Sequence, residues 1–366
     1  MRVAVVGCGA MGAAAGWRLQ KRGAEVVCFD RYSPPHEIGS THGESRVTRT
    51  AYFEGPWYVP LLKETFGMWR ELEAESKQEL LTLTGLLMIG APDSEAVVAS
   101  QAAANEHGLE VKVLDASELR RRYPGHTVGD GEIAVFDPQA GFLRVEAIVS
   151  AMTRELNVRR NTKVTGVDPK SDGVEVSTAQ GSEMFDAAVI ATGPWMTELV
   201  PFLPLKVERQ VLVWLAIQSG ADWFSPERFP VWIREATTQG DVYGLPTLDG
   251  LSIKLARHHG GETVDPATVR RTATDADLDP LRLFVTKYLH GVTRHVTRSA
   301  VCLYTNTPDQ HFAIGLHPES ERVAIVSACS GHGFKFAPVV GDIAADLVLE
   351  GGTRRDISRL ALQRFT

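Results

Sequence analysis

Three glycines near the start of the chain, Gly7, Gly9 and Gly12, stand in the pattern Gly-x-Gly-x-x-Gly, and the apolar run Ala24 to Phe29 downstream closes on Asp30. Residues of these types at this spacing can hold a pyrophosphate-linked dinucleotide. Gly7 allows a tight turn, Gly9 lets the backbone approach the phosphates, and Gly12 lets the following helix lie close to the sheet. The phosphates would sit on the helix N-terminus, where free N–H groups and the dipole favour an anion. Asp30 is placed to accept from ribose hydroxyls. The pattern alone leaves NAD and FAD both open. Elsewhere, Arg49 and Lys335 are candidate carboxylate binders. Arginine offers a planar fork and lysine a point charge, and Lys335 follows the glycine turn Gly331-His332-Gly333-Phe334. Lys254 lies in the strand-like Ser252-Ile253-Lys254-Leu255, where a lysine is either an exposed alternating residue or a fixed cation in a site. Cys302, judged alone, reads as a small core residue. His42 and Arg46 share a polar loop, where a histidine is either a hydrogen-bonding scaffold or a proton carrier.

The elements that must position these residues are legible in outline. Val3 to Val6 reads as a strand, the stretch after Gly12 as a helix, and Ala24 to Phe29 as a second strand. A loop rich in turn formers follows, from Ser33 to Gly43. Tyr58 to Leu80 has helical periodicity. Leu81 to Ile89 is strand-like with a break at Gly85. Asp93 to His107, Ser117 to Arg122 and Val145 to Leu156 read as helices, and Ile133 to Phe136, Asn157 to Val167 and Gly173 to Thr178 as strands. Ala187 to Ala191 is an apolar strand that ends in a second glycine turn, Thr192-Gly193-Pro194-Trp195. Residues 206–300 change character, with Trp214, Trp223, Trp232 and alternating runs that suggest antiparallel sheet. The chain then returns to α/β style, with strand Val323 to Val326 and helix Val340 to Leu349 stopped by Gly351-Gly352. The expected architecture is an α/β Rossmann-like FAD- or NAD-binding domain with an inserted α+β domain whose sheet is mostly antiparallel. The expected boundaries are 1–80, 143–205 and 301–366 for the first, and 81–142 and 206–300 for the second.

With 366 residues, 44% of them hydrophobic, the chain can bury large cores. Its 38 basic and 45 acidic residues leave a net charge of -7 with no basic tract, which argues against nucleic acid or a membrane surface as partner. No window reaches the roughly 18 apolar residues of a spanning helix. The N-terminus enters a core strand at once and so is not expected to be a signal peptide. The C-terminal Gln363-Arg364-Phe365-Thr366 carries no peroxisomal or lipidation signal, and a cytoplasmic location is expected. The cysteines (Cys8, Cys28, Cys302 and Cys329) match neither a zinc site nor a disulfide framework. Neither they nor His259, His311 and His317 have metal-ligand spacing, so no metal is expected. There is no Gly-x-Ser-x-Gly elbow of a hydrolase.

The segments GCGAMG at 7–12, SPPHEIGSTHGESRVTR at 33–49, YGLPTLDGLSIKLARHH at 243–259, CLYTNTPDQHF at 302–312 and SGHGFKF at 330–336 resemble the monomeric sarcosine oxidase and N-methyltryptophan oxidase family. These are FAD enzymes with a D-amino-acid-oxidase-like fold, and the resemblance runs over nearly the whole chain. It implies FAD bonded covalently through Cys302 to the 8α-methyl of the flavin. It also implies cofactor contacts from Gly7, Gly9, Ala10, Met11, Gly12, Asp30, Arg31, Ser40, Ser45, Val164, Gly193, Trp195, Gly331, Gly333 and Phe334. By the same resemblance Lys254 promotes oxygen reduction, Arg49 and Lys335 hold a substrate carboxylate, His42 and Arg46 lie against the flavin ring, and Tyr243 and His258 line the substrate pocket. The implied activity is oxidation of a secondary amino acid to an imine by a monomer, with O2 reduced to H2O2. Glu54 and Tyr58 match a further motif weakly. Phe53, Pro56 and Trp57 depart from it, which leaves room for a different pocket entrance. Trp232 and Ile233 are expected near the pocket, with the segment to Tyr243 one residue longer than in sarcosine oxidases. N-methyltryptophan, pipecolate and fructosyl amino acids stay open as substrates. An NAD-dependent dehydrogenase shares the N-terminal pattern but gives no reason for Cys302 or the Gly331–Lys335 loop; a non-catalytic nucleotide-binding module is the other reading.

Overall fold

A computed structural model describes residues 1–235 and 240–365. The N-terminal strand, Arg2–Val6, lies between two parallel neighbours, Glu25–Phe29 and Ala187–Ile190. The sheet grows to six strands in the order Ala313–His317, Ser320–Ser327, Ala187–Ile190, Arg2–Val6, Glu25–Phe29, Asn157–Arg159. Only its edge strand Ala313–His317 runs antiparallel to its neighbour. A parallel sheet is covered on both faces, which is why its strands are unbroken apolar runs. On one face lie helix Ala10–Lys21 and helix Ala337–Glu350. They meet through small residues: a Cβ on Gly341 would stand 2.5 Å from the backbone of Ala14. The other face packs against an antiparallel sheet of Val164–Pro169, Val174–Thr178 and Gly181–Phe185.

A second sheet of nine strands carries the other half of the molecule. Its centre pairs Val292–Asn306 with Lys206–Ile217, then Ser252–Arg257, Val242–Leu245 and Val231–Arg234, all antiparallel. Strand Leu86–Gly90 joins it as a parallel neighbour of Val231–Arg234. The break at Gly85 is therefore a change of sheet. Leu81–Leu83 belongs to a small sheet with Gly141–Arg144 and Ser45–Thr48, while Leu86–Gly90 enters the large one. Gly85 has φ +74°, and a Cβ there would fall 2.3 Å from Phe136. Within 206–300 the structure also holds a helix, Asp275–Tyr288, opened by a capping box between Thr274 and Asp277. Its buried Leu278, Leu281, Phe284 and Val285 cover one face of the sheet. Pro280 and the aspartates of its first turns hide that periodicity in the sequence.

The alternation of the large sheet sorts its residues. Val213, Leu215, Trp232, Val242, Ile253 and Leu255 point to the core under helix Asp275–Tyr288. Residues of the opposite phase, among them Leu212, Trp214, Ile233, Tyr243, Leu245 and Cys302, gather on the other face with Phe142 and Val47 of the small sheet. Trp232 is thus not a pocket residue. It stacks on Phe284 at 5.7 Å, with 1° between ring planes. Ile233, one position on, lines the cleft. Residues 236–239 of the segment expected to be one residue longer lie outside the described residues.

Candidate active site

A cleft of about 1730 Å³, counted with its open mouth, runs from the glycine turn to the large sheet. At one end it is lined by Gly7, Gly9, Ala10, Met11, Asp30 and Arg31, with Val164, Gly193 and Trp195 beside them. Further along come Ser40, Arg46 and Cys302, and then Arg49, Tyr243, His258, Gly331, Gly333 and Phe334. Gly12, His42, Ser45, Lys254 and Lys335 are not on the lining and stand behind it. The cleft brings one continuous wall together from segments more than three hundred residues apart.

The residues at the glycine end fit a dinucleotide. Gly7 has φ +89°, and a Cβ on it would lie 2.5 Å from the Ala191 carbonyl oxygen. A Cβ on Gly12 would lie 1.7 Å from the Gly7 carbonyl oxygen. The Asp30 carboxylate accepts from the backbone N–H of Cys8 and of Tyr32, both at 2.8 Å, which fixes its orientation and leaves lone pairs for ribose hydroxyls. Among the described residues the buried Trp195 Nε1 has no protein partner, and it lies in this wall. Two expected contacts are otherwise engaged: Arg31 pairs with Glu198 at 2.6 Å, and the Ser40 hydroxyl donates to the Leu303 carbonyl at 2.5 Å.

In the middle of the cleft Cys302 is buried on strand Val292–Asn306, with Arg46 Nη2 3.4 Å from its sulfur. Burial alone would push the thiol up, but Arg46, then His42 and Lys254, outweigh it and bring the pKa down to about 7. A large thiolate fraction at neutral pH makes Cys302 nucleophilic, unlike an inert core cysteine. Arg46 is itself held by the Ser40 and Ser45 carbonyls, both at 3.0 Å.

Lys254 belongs to a row of three residues in register across adjacent strands: Lys254, Trp214 and Arg298. Its Nζ donates to the Gly43 and Ser45 carbonyls at 2.6 Å and lies 5.6 Å from the Trp214 ring centre. Arg298 covers the same ring at 3.7 Å. Glu44 accepts from Trp214 Nε1 at 3.0 Å and pairs with Arg298 at 2.5 Å. Burial, with Arg46 adding to it, pushes Lys254 well below the ordinary lysine value.

At the far end Arg49 is buried, its guanidinium 4.3 Å from the Tyr52 ring centre and 4.2 Å from that of Phe53. Its Nη2 donates to both oxygens of Glu54, at 2.5 and 2.6 Å. Burial opposes ionisation of Glu54, but Arg49, followed by His332, Lys335 and His258, holds its carboxyl at about 2. Lys335 Nζ donates to the His332 carbonyl at 2.6 Å and to Tyr52 Oη at 3.3 Å. Burial and the nearby Arg49 bring Lys335 down to about 7. Tyr243, His258 and Tyr304 form the side wall, with Tyr304 Oη 3.5 Å from His258 Nδ1. Gly331 makes room for them at φ +78°; a Cβ there would lie 2.6 Å from Tyr304 and 3.0 Å from His258. Burial and its neighbour His259 push His258 well below the usual histidine value, so it faces the pocket uncharged.

Sequence reasoning missed four members of this wall and its support. Tyr304 follows Cys302 by two positions on one strand, so period two puts both on the same face. Trp214 could be placed only through strand register, and Tyr52 and His332 only through tertiary contacts. Among the described residues no group of three or more His, Cys, Asp or Glu could hold a metal ion, and no helix is long and apolar enough to cross a membrane.

Comparison with known proteins agrees with this geometry. A family model described as FAD dependent oxidoreductase matches residues 2–347. A monomeric sarcosine oxidase from Streptomyces avermitilis is 38% identical over 366 residues, covering 97% of this chain and 95% of that protein. An N-methyl-L-tryptophan oxidase from Yersinia pestis is 34% identical, covering 99% and 98%. Among solved structures, the open form of NikD, an unusual amino acid oxidase essential for nikkomycin biosynthesis, superposes with a TM-score of 0.87 at 25% identity, covering 98% and 96%. Likeness of this extent, over a cleft built around a glycine cradle, has one meaning: the chain belongs to the FAD dependent oxidoreductase family.

Proposed function

We propose that this protein is a flavin-dependent oxidase that converts a secondary amino acid, N-methyl or cyclic, to its imine and passes the electrons to O2. The observation that supports this most strongly is the continuity of one cleft, from the Gly7–Gly12 cradle past Cys302 to Arg49, Tyr243 and His258. Bound FAD would supply the two-electron acceptor for the C–H beside the amine and return those electrons to O2, giving H2O2. The remaining work falls to this chain's residues. Arg49, once released from Glu54, and Lys335 hold the carboxylate and so place the amine and its neighbouring C–H. Uncharged His258, with Tyr243 and Tyr304, walls the amine and excludes water. Arg46, on the cleft lining, would set a fixed positive charge toward the flavin when FAD is bound. Lys254, its Nζ held by the Gly43 and Ser45 carbonyls beside Trp214, would offer an N–H donor where O2 gains negative charge. The imine then takes up water, which splits an acyclic product into an aldehyde or ketone and an amine and opens a cyclic one to a single amino-carbonyl compound.

We propose further that Cys302 carries the covalent link to the flavin, for which its lowered thiol pKa is the support. A monomer is the proposed state, following the names of its relatives. Four unpaired cysteines suit the reducing cytoplasm. We assign residues 1–80, 143–205 and 301–366 to the FAD-binding domain and 81–142 and 206–300 to the substrate domain. N-methylglycine, N-methyltryptophan, pipecolate and fructosyl amino acids form the substrate panel.

The test is a visible spectrum of the purified protein, acid precipitation, and a peroxide assay over that panel. Yellow colour that stays with the pellet, with peroxide formed from at least one member, is the expected result. Colour released to the supernatant removes the covalent assignment alone. A colourless protein that gains no absorbance with FAD overturns the reading.

A further inference from the structure

Behind Lys335 the structure places a chain of buried polar groups that the expected chemistry does not use. His332 Nε2 lies 3.0 Å from the Gln310 carbonyl oxygen. A carbonyl only accepts, so Nε2 carries the proton and Nδ1 is bare. Tyr52 Oη lies 2.6 Å from that Nδ1, so the Tyr52 hydroxyl donates to it. With its one proton committed there, Tyr52 Oη turns its lone pairs toward Lys335 Nζ at 3.3 Å. The bonds therefore run one way, from Lys335 to Tyr52 to His332 to the Gln310 carbonyl, and each polarises the next.

The frame around this chain is held tightly. Gln310 and Ser330 both sit at positive φ, 59° and 39°, which residues with side chains adopt only where their surroundings impose it. The Lys335 carbonyl accepts from Thr65 Oγ1 at 3.3 Å and Trp69 Nε1 at 3.2 Å, which ties its backbone to helix Val59–Ser76. The Tyr52 ring is locked among Tyr58, Phe336 and His332.

We propose that Tyr52 and His332 are positioning residues that hold Lys335 as an ammonium aimed for a substrate carboxylate, and so set the pH range over which the pocket binds acids. This rests on the reading of Arg49 and Lys335 as the carboxylate clamp. The charged and titratable groups around Lys335 are Arg49 and Glu54, Tyr52 and Tyr58, and His332 on its own turn, with His258 and His311 farther out. Arg49 and burial both disfavour the ammonium, which leaves Lys335 near 7. The Glu54 carboxylate opposes them through its charge, and the His332 carbonyl and Tyr52 Oη accept the hydrogen bonds that hold the ammonium in place. Tyr52 accepts well only while His332 Nδ1 takes its proton.

The test is calorimetric titration of the flavin-loaded enzyme with acetate as the probe, across pH. Y52F keeps the ring and loses the acceptor, and H332L loses the group that commits the Tyr52 proton. H332N keeps an acceptor near the place of Nδ1. Y52F and H332L are expected to bind acetate about tenfold more weakly near neutral pH. The alkaline limit of binding should move to lower pH in both, and H332N should recover most of the affinity. Y52F with unchanged affinity and pH limit, while K335M loses binding, overturns the relay and leaves the clamp standing. K335M that binds acetate as the parent does overturns the clamp and the relay with it.

Discussion

The substrate carboxylate meets an occupied partner, because Arg49 is already bound to Glu54. Replacing Glu54 with Gln should therefore tighten carboxylate binding and weaken the fold at the same time. Both partners are sheltered, with side-chain exposures of 3% for Arg49 and 13% for Glu54. A carboxyl held at about 2, where it is 4.5 when free, contributes ~3 kcal/mol to the folded state at neutral pH. The sign follows from the lowered value. The contribution is complete above 4.5 and is lost as pH falls toward 2. Glu54→Gln removes it and leaves Arg49 as an uncompensated buried cation, a loss of about 3 kcal/mol or somewhat more. Arg49 in the parent is free only in the fraction of molecules where the pair is open, and apparent affinity is reduced by that fraction. If the charge part of the pair is worth about 1.4 kcal/mol or more, affinity for acetate rises at least about tenfold. The assay is denaturant unfolding of parent and variant with and without acetate, together with calorimetric titration. Acetate at about a hundred times its dissociation constant should restore ~2.7 kcal/mol to the variant. Unchanged affinity alongside reduced stability would refute Arg49 as the carboxylate site. Unchanged stability would refute the pair as a buried charge interaction.

Lys254→Met should slow reoxidation of the reduced enzyme by O2 about a hundredfold or more while sparing anaerobic reduction by substrate; equal losses in both would remove its role. Cys302→Ser should release all flavin colour on acid precipitation, and retention of colour in the pellet would place the link elsewhere. With the Cys302 thiol near 7, covalent incorporation of FAD into cofactor-free protein should slow as pH falls, with only about a tenth of the thiol ionised at about pH 6. Arg46→Met should move that profile to higher pH, and an unmoved profile would show that Arg46 does not set the thiolate. Gly12→Ala brings a Cβ to within 1.7 Å of the Gly7 carbonyl, so the variant should fail to retain FAD or fail to fold, as judged by its spectrum and its melting.

The sequence by itself determined the local and the periodic. Gly7, Gly9, Gly12 and Asp30 stood at the spacing of a strand, turn, helix and strand, and the structure builds them so. The residues of the segments at 33–49, 243–259, 302–312 and 330–336 were legible as a set through their resemblance to known oxidases, and the fold brings them to one cleft. Period two would have paired Tyr304 with Cys302. Tertiary structure decided the rest, because it depends on register and packing between distant segments. Strand register alone sets Trp214 between Lys254 and Arg298. Alternation across the large sheet sends Trp232 to the core under helix Asp275–Tyr288 and Ile233 to the cleft. The glycine at 85 marked a turn in the sequence, but only the packing against Phe136 shows it dividing two sheets. Whether Arg49 is free or bound, and whether Lys335 leans on Tyr52, are questions of side-chain contact across the fold. No spacing along the chain encodes such contacts, since each is fixed by the burial and hydrogen-bond needs of groups that meet only after folding.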